Sequence, residues 1–190
     1  VLRRTYPAGG VASNVTGFVG EISENELKQM EGKGYVGGDQ IGKTGIERQY
    51  EDMLRGRPGG ESVEVDARGR RVRRIDSSPA GRGMDLQLTL DLGAQRLAAD
   101  LLKGYRGALV AMDVHNGDIL VLASSPSYDN NPLSWGVSSK EWNALLTDPE
   151  KPMLDRSIAG LYPPASTFKA LVGLAALAEK EITASTTYSC

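Results

Sequence analysis

Leu161-Tyr162-Pro163-Pro164-Ala165-Ser166-Thr167-Phe168-Lys169 is the stretch on which the reading of this chain turns. Ser166 is the only serine followed by a lysine three residues on. Prolines are excluded from helix interiors but suit the approach to a helix, which puts Ser166 at or near a helix start. Residues i and i+3 share a helix face, so the Lys169 amine can reach the Ser166 hydroxyl. A serine hydroxyl is a poor nucleophile until a nearby base takes its proton. Lysine serves as that base only where burial and the positive field of a helix N-terminus disfavour the ammonium form. The same N-terminus offers free N–H groups for an oxyanion hole. The bland alternative is a serine N-cap beside a surface lysine, and local physics leaves both readings open. Leu171, Val172, Leu174, Ala175, Ala176 and Leu177 make the helix expected over residues 166–180 apolar nearly all round. Such a helix belongs at a domain centre.

Around this stretch lie 190 residues with a formal net charge of -2, 40% hydrophobic and 24% charged. That suits one domain or two small ones with a packed core, and it excludes a disordered chain. Whole-chain charge indicates no nucleic acid or other polyanion as partner. No apolar run approaches the ~20 residues of a membrane span. Cys190 is the only cysteine and His115 the only histidine. There is thus no disulfide framework, no Cys-based zinc site and no Ser-His constellation. The chain begins at Val1 without Met and carries no signal-like segment, so it reads as a piece of a longer protein.

Composition shifts near residue 80. Residues 1–82 are Gly-rich, with one helix expected over 46–54, where Ile46, Tyr50, Met53 and Leu54 follow a helical period. Residues 63–66 and 71–75 read as strands around a turn at 67–70. Residues 77–83 read as a linker and 86–90 as a strand. Asp91 can N-cap a helix over 93–103, with Leu97, Leu101 and Leu102 on one face. Residues 109–114 and 119–123 form the clearest hairpin, with Asn116-Gly117 expected in a tight primed turn. Residues 124–165 hold most of the prolines and read as loop, with a short helix at 140–146.

Three other patterns compete for chemistry. Gly37-Gly38-Asp39-Gln40-Ile41-Gly42-Lys43-Thr44 fits the phosphate-loop pattern letter for letter. The segment before it is polar and broken by glycine, where a buried strand is required, so a Gly-rich turn is the better reading. Residues 68–74 carry five arginines. Glu61, Glu64 and Asp66 on the presumed partner strand absorb much of that charge, which favours a solvated hairpin over a phosphate-binding patch. Glu47, Glu51 and Asp52 read as solvated carboxylates on an exposed helix face.

The wider context breaks the tie at Ser166. Residues 161–169 closely resemble the first active-site motif of penicillin-binding proteins, which have S-x-x-K among their signatures. Arg4-Thr5-Tyr6-Pro7, Gly17-Phe18-Val19-Gly20, Gly42-Lys43-Thr44-Gly45-Ile46-Glu47, Leu54-Arg55-Gly56 and Val63-Glu64-Val65-Asp66 resemble the pedestal (dimerisation-type) domain of class B members. Leu88-Thr89-Leu90-Asp91 and Ala123-Ser124-Ser125-Pro126-Ser127-Tyr128-Asp129 resemble the opening of the transpeptidase domain. Ser138-Ser139-Lys140-Glu141-Trp142 is similar to the rod-elongation type, penicillin-binding protein 2.

The resemblance implies an α+β chain. A mostly β pedestal region over 1–82 precedes the incomplete leading part of a penicillin-binding (serine transpeptidase/β-lactamase-like) domain over 83–190. It implies a parent anchored in the bacterial cytoplasmic membrane by a segment absent here and working on its outer side. That parent is a D,D-transpeptidase with Ser166 as nucleophile and Lys169 as base. Its substrate is a peptidoglycan stem peptide, β-lactams acylate the same serine, and no metal or cofactor is needed. The pedestal would meet a polymerase or scaffold partner of the cell-wall complex. The alternative is a non-catalytic interaction module of that complex. Lys43-Thr44-Gly45 and Ser23-Glu24-Asn25 spell the family's third and second motifs but precede Ser166, against the family order. The real ones are expected beyond Cys190, so this piece alone should have little or no activity. Ala165 departs from the family's usual Gly, and Asp155 and Ser157 from its usual Asn and Ala.

Overall fold

In the computed structural model, which describes residues 4–187, the Gly-rich first part builds short elements rather than long ones. Helix α1 (Ser13–Thr16) leads into strand β1 (Val19–Glu21), which pairs antiparallel with β2 (Gln40–Gly42), Gly20 opposite Ile41. Helix α2 (Glu24–Gln29) lies between them in sequence. The Ser23 side chain accepts from Glu26 N–H while the Glu26 carboxylate accepts from Ser23 N–H, a capping box that fixes the helix start.

The single helix expected over 46–54 is two, α3 (Gly45–Gln49) and α4 (Glu51–Leu54), broken at Tyr50. Glu51 accepts from Gly42 N–H and from the Tyr35 hydroxyl, both at 2.8 Å, which anchors the second piece. The Arg55 guanidinium lies 3.4 Å from the Tyr35 ring centroid.

The arginine-rich hairpin is longer than its sequence suggests. It pairs β3 (Gly60–Val65) with β4 (Arg71–Ser78), with irregularities at Ser62/Val63 and Glu64/Val65. The expected linker therefore starts inside a strand. Its remainder is tied back, because Arg57 and Gly81 exchange both backbone hydrogen bonds at 2.9 Å and Met84 N–H reaches Met53 O.

Helix α5 (Leu92–Leu101) starts at Asp91, whose carboxylate accepts from Ala94 N–H. Its inner face is Ala94, Gln95 and Ala98, with Leu102 at its end; of the expected leucine face only Leu102 turns inward, while Leu97 and Leu101 are exposed. Small residues let the helix approach the hairpin of β5 (Gly107–Met112) and β6 (Ile119–Ser125), closing a core of Ala98, Val121 and Ala123. The strand expected at 86–90 does not form. Leu120 O instead accepts from Asp91 N–H, and Ile119 O from the Thr89 hydroxyl. Gln95 takes Leu122, accepting from its N–H at 2.9 Å and donating to its C=O at 2.8 Å. With these groups satisfied, residues 86–90 have no ladder to join. The hairpin turn is also wider than expected. Only Gly117 has positive φ (81°), and Asp113 closes the loop through its carboxylate to His115 N–H and its N–H to Asp118 O.

Residues after β6 fold as three short helices, α6 (Asn130–Trp135), α7 (Ser139–Thr147) and α8 (Arg156–Ala159). Tyr128 and Leu133 pack with Tyr6 and Phe18 from the start of the chain, and Trp142 and Leu145 join that core. Phe18 meets Tyr128 and Trp142 edge-on at 6.5 and 6.3 Å between centroids, each contact stabilising by about 0.5–1.5 kcal/mol beyond area burial. Asn131 reads the backbone of Tyr6 like a paired strand, accepting from its N–H at 2.8 Å and donating to its C=O at 3.0 Å. Gly160 ends this unit; Leu161 begins a second, small one.

Candidate active site

The second unit is built around α9 (Phe168–Ala178). Pro163 and Pro164 cannot continue a helix, and the chain enters α9 through a 3₁₀ turn, Ala165–Thr167, that carries Ser166. Both the N–H and the hydroxyl of Thr167 donate to Pro164 O. Phe168 N–H closes the turn on Ala165 O and Ser166 O. Lys169 falls in the first turn of α9, three residues after Ser166. Ser166 and Lys169 are both exposed, and among the described residues they share no hydrogen bond. An apolar groove lined by Phe168, Lys169, Val172, Gly173, Ala176 and Ile182 runs beside them.

The burial expected for α9 is not found. Leu171, Val172 and Leu174 are more than half exposed. A unit of one helix and its flanking turns is too small to enclose an all-round apolar surface.

The competing patterns resolve as structure. Gly42 lies in β2 with its N–H given to Glu51, and Lys43 N–H donates to Phe18 O at 2.8 Å. Lys43 Nζ pairs with Glu26 at 2.5 Å, so neither the amine nor those amides are free to cradle a phosphate. Ser23, first of the false S-x-N, caps α2. On the hairpin, Arg70 pairs with Asp66, Arg71 and Arg74 with Glu61, and Arg73 with Glu64, which bears out the solvated, charge-paired face.

Glu47 corrects the reading of an exposed carboxylate. It is 6% exposed and receives Arg4 through two bonds of 2.6 and 2.8 Å. It also accepts from the Tyr6 hydroxyl at 3.2 Å. Burial holds the Tyr6 hydroxyl up at about 12, so it remains a donor. Sequence reasoning assigned no role to this trio, to Gln95 or to Asn131. For Glu47, Gln95 and Asn131 the local signal was a polar residue on a helix, which is unreadable before the partner segment is known.

Glu26 carries a pH dependence. Burial pushes its carboxyl up, but hydrogen bonds from Lys43 and Ser23 outweigh that and hold it at about 2, against 4.5 unperturbed. A depressed carboxylate stabilises the fold above the unfolded value and loses that contribution as pH falls through the folded one. Denaturant unfolding followed from pH 5 to pH 2 is expected to show stability falling across this window. Glu26→Gln should flatten part of that slope while lowering stability at pH 7.

Comparison with known proteins decides the family. The model of the penicillin-binding protein dimerisation domain matches residues 1–88, and that of the penicillin-binding protein transpeptidase domain matches residues 107–190. The chain belongs to the penicillin-binding proteins. Among curated penicillin-binding relatives, the peptidoglycan D,D-transpeptidase MrdA of Escherichia coli K12 is 44% identical over 189 residues, 97% of this chain and 30% of that protein. The MrdA of Acinetobacter baumannii is 42% identical over 176 residues. The chain thus spans about a third or less of the relatives it matches. Two penicillin-binding protein structures superpose closely. PBP2 of Helicobacter pylori, solved in complex with MreC, gives a TM-score of 0.82 at 37% identity, covering 98% of this chain and 34% of that one. PBP2 of Pseudomonas aeruginosa, in complex with WCK 5153, gives 0.81 at 36% identity, covering 97% and 37%. The α+β class and the family resemblance read from sequence are both borne out.

Proposed function

We propose that the longer protein carrying this chain is a peptidoglycan D,D-transpeptidase with Ser166 as nucleophile and Lys169 as general base. The observation that carries the reading is the match of the transpeptidase model across Ser166-x-x-Lys169, at the entrance to a helix. Ser166 Oγ attacks the carbonyl carbon of the penultimate D-Ala of a stem peptide. Its proton passes to the neutral Lys169 amine and then to the leaving amino group of the terminal D-Ala as the C–N bond breaks. The Ser166 ester is then attacked by an amine of a neighbouring stem, which forms the cross-link and restores the hydroxyl. The Ser166 N–H contributes oxyanion stabilisation, since the N–H groups of Thr167 and Phe168 are held within the turn. No step calls for a metal or cofactor.

General bases work best where water is excluded. In the 190-residue chain the Ser166–Lys169 face is open to solvent, so its own turnover is expected to be low. The domain division supported by this reading puts a pedestal region over 1–82 and the transpeptidase opening over 83–190. The longer protein works at the outer face of the cytoplasmic membrane; no helix among the described residues is long and apolar enough to cross a membrane.

A second role is favoured by the Helicobacter pylori relative, solved with MreC. The region matched by the dimerisation model is proposed to bind a scaffold partner of the cell-wall complex. The test of the main reading is covalent capture of a fluorescent penicillin by the full-length natural chain, with the label located by mass spectrometry. Label on Ser166 supports it; label elsewhere, or none, contradicts it.

A further inference from the structure

Among the described residues, three that are not glycine hold positive φ: Lys151 (48°), Ala165 (46°) and Lys180 (62°). Two have an ordinary explanation. Lys180 ends α9, with Lys180 N–H on Leu177 O and Glu181 N–H on Ala176 O, the usual place for a left-handed residue. Lys151 turns its carbonyl to the buried Arg156 guanidinium, which also binds Glu150 O at 2.6 Å. Ala165 has neither excuse. It stands immediately before Ser166, at the start of a turn rather than the end of a helix.

For an L-residue the left-handed region is disfavoured because Cβ crowds the following carbonyl. Asparagine or aspartate offsets that with a side-chain hydrogen bond; alanine has none to offer. Among the described residues, the turn is held by local bonds, from Thr167 to Pro164 O and from Phe168 N–H to Ala165 O and Ser166 O. Relaxation of Ala165 to the right-handed or extended region rotates the peptide that joins it to Ser166. Those closures are then lost and Ser166 leaves the entrance of α9. Strain of this kind persists only where surrounding structure imposes it, and among the described residues the bonds just named are those that hold the turn.

We infer that Ala165 is a positioning residue that gates Ser166. The reactive turn is one member of an equilibrium with a relaxed form, and the methyl group of Ala165 sets the balance. The inference rests on Ser166 being the nucleophile. The strained turn is the one that sets Ser166 at the entrance of α9, three residues before Lys169, so the apparent acylation rate is reduced by the fraction of time that turn is absent. Glycine at 165 removes the crowding and deepens the reactive turn. A β-branched residue there raises the strain and empties it.

The test measures the second-order rate of acylation by a fluorescent penicillin in the full-length natural chain. Four forms are compared: the natural sequence, Ala165→Gly, Ala165→Val and Lys151→Gly. Ala165→Gly is expected to react about two- to five-fold faster and Ala165→Val more slowly. Lys151→Gly relieves a left-handed residue elsewhere and should raise thermal stability without changing the rate. That control separates gating from simple stabilisation, which both glycine variants share. An unchanged or slower rate for Ala165→Gly, with the label still on Ser166, overturns the gate and leaves the nucleophile standing. Label on a residue other than Ser166 overturns both.

Discussion

Exchanging Ser166 for alanine is expected to abolish covalent labelling by penicillin in the full-length protein, while the folded structure is kept. Alanine has no oxygen with which to form the ester. No other serine of the chain has a lysine three residues on, so none can take over by the same geometry. Among the described residues the Ser166 hydroxyl makes no hydrogen bond to another element, so thermal unfolding should be nearly unchanged. Lys169→Ala is expected to slow acylation by about two to four orders of magnitude, the usual contribution of a positioned base. Lys169→Arg separates two roles. Arginine keeps the positive charge but cannot give up its proton at any working pH. If Lys169 acts as a base, the arginine variant is as slow as the alanine one. Restoration of the rate by arginine would assign lysine a purely electrostatic task.

Gly45→Ala is expected to destabilise the fold by about 3 kcal/mol or more. Conformation and space both oppose a side chain there. Gly45 has φ 58°, and a Cβ there would stand 2.4 Å from Val15 O and 2.6 Å from Gly17 N. Gly17 reciprocates: its own φ is 71°, and a Cβ would meet Thr44 O at 1.9 Å. The link from α1 to β1 and the link from β2 to α3 thus touch backbone to backbone, and only hydrogen atoms fit between them. The contact also supports Asn130, fully buried, whose amide donates to Gly17 O at 2.8 Å and to the Thr16 hydroxyl at 3.0 Å. Gly38→Ala is the control. Gly38 has φ 88° but open space around it, so it should lose only about 1 kcal/mol for the conformation itself. Thermal unfolding of the two variants should differ by several degrees, given about 2–4 °C per kcal/mol at this size. Equal losses would mean that the close approach contributes nothing.

That same contact marks the limit of what the sequence discloses. The β5–β6 hairpin is legible because two continuous apolar runs, 109–114 and 119–123, flank Asn116-Gly117. Capping chemistry finds α5 at Asp91; the expected helix over 140–146 covers most of α7, whose start is fixed by a second capping box of Ser138 and Glu141 that the sequence reading did not use. The charge pairing on β3 and β4 is legible because cross-strand partners follow from the turn position. Elements that depend on distant partners are not legible. Residues 86–90 alternate like a strand, but whether they join a ladder was decided by Gln95 and Thr89 claiming the β6 backbone. Glu47 looks like any surface carboxylate until Arg4 and Tyr6 are folded against it. At the candidate site, Ser166-x-x-Lys169 and its helix entrance could be read directly. The left-handed Ala165 could not be read from the alanine itself; the only signal was that it stands where the family usually has Gly.

The central claim is tested most directly by giving the full-length natural protein a stem peptide ending in D-Ala-D-Ala, without acceptor amine, and measuring the intact mass. The account predicts a mass gain equal to the peptide less one D-Ala, located on the peptide that contains Ser166, with D-Ala released in equal amount. It also predicts that Ser166→Ala shows neither gain nor release. D-Ala release that persists in Ser166→Ala, or a mass gain located on any other residue, would contradict it.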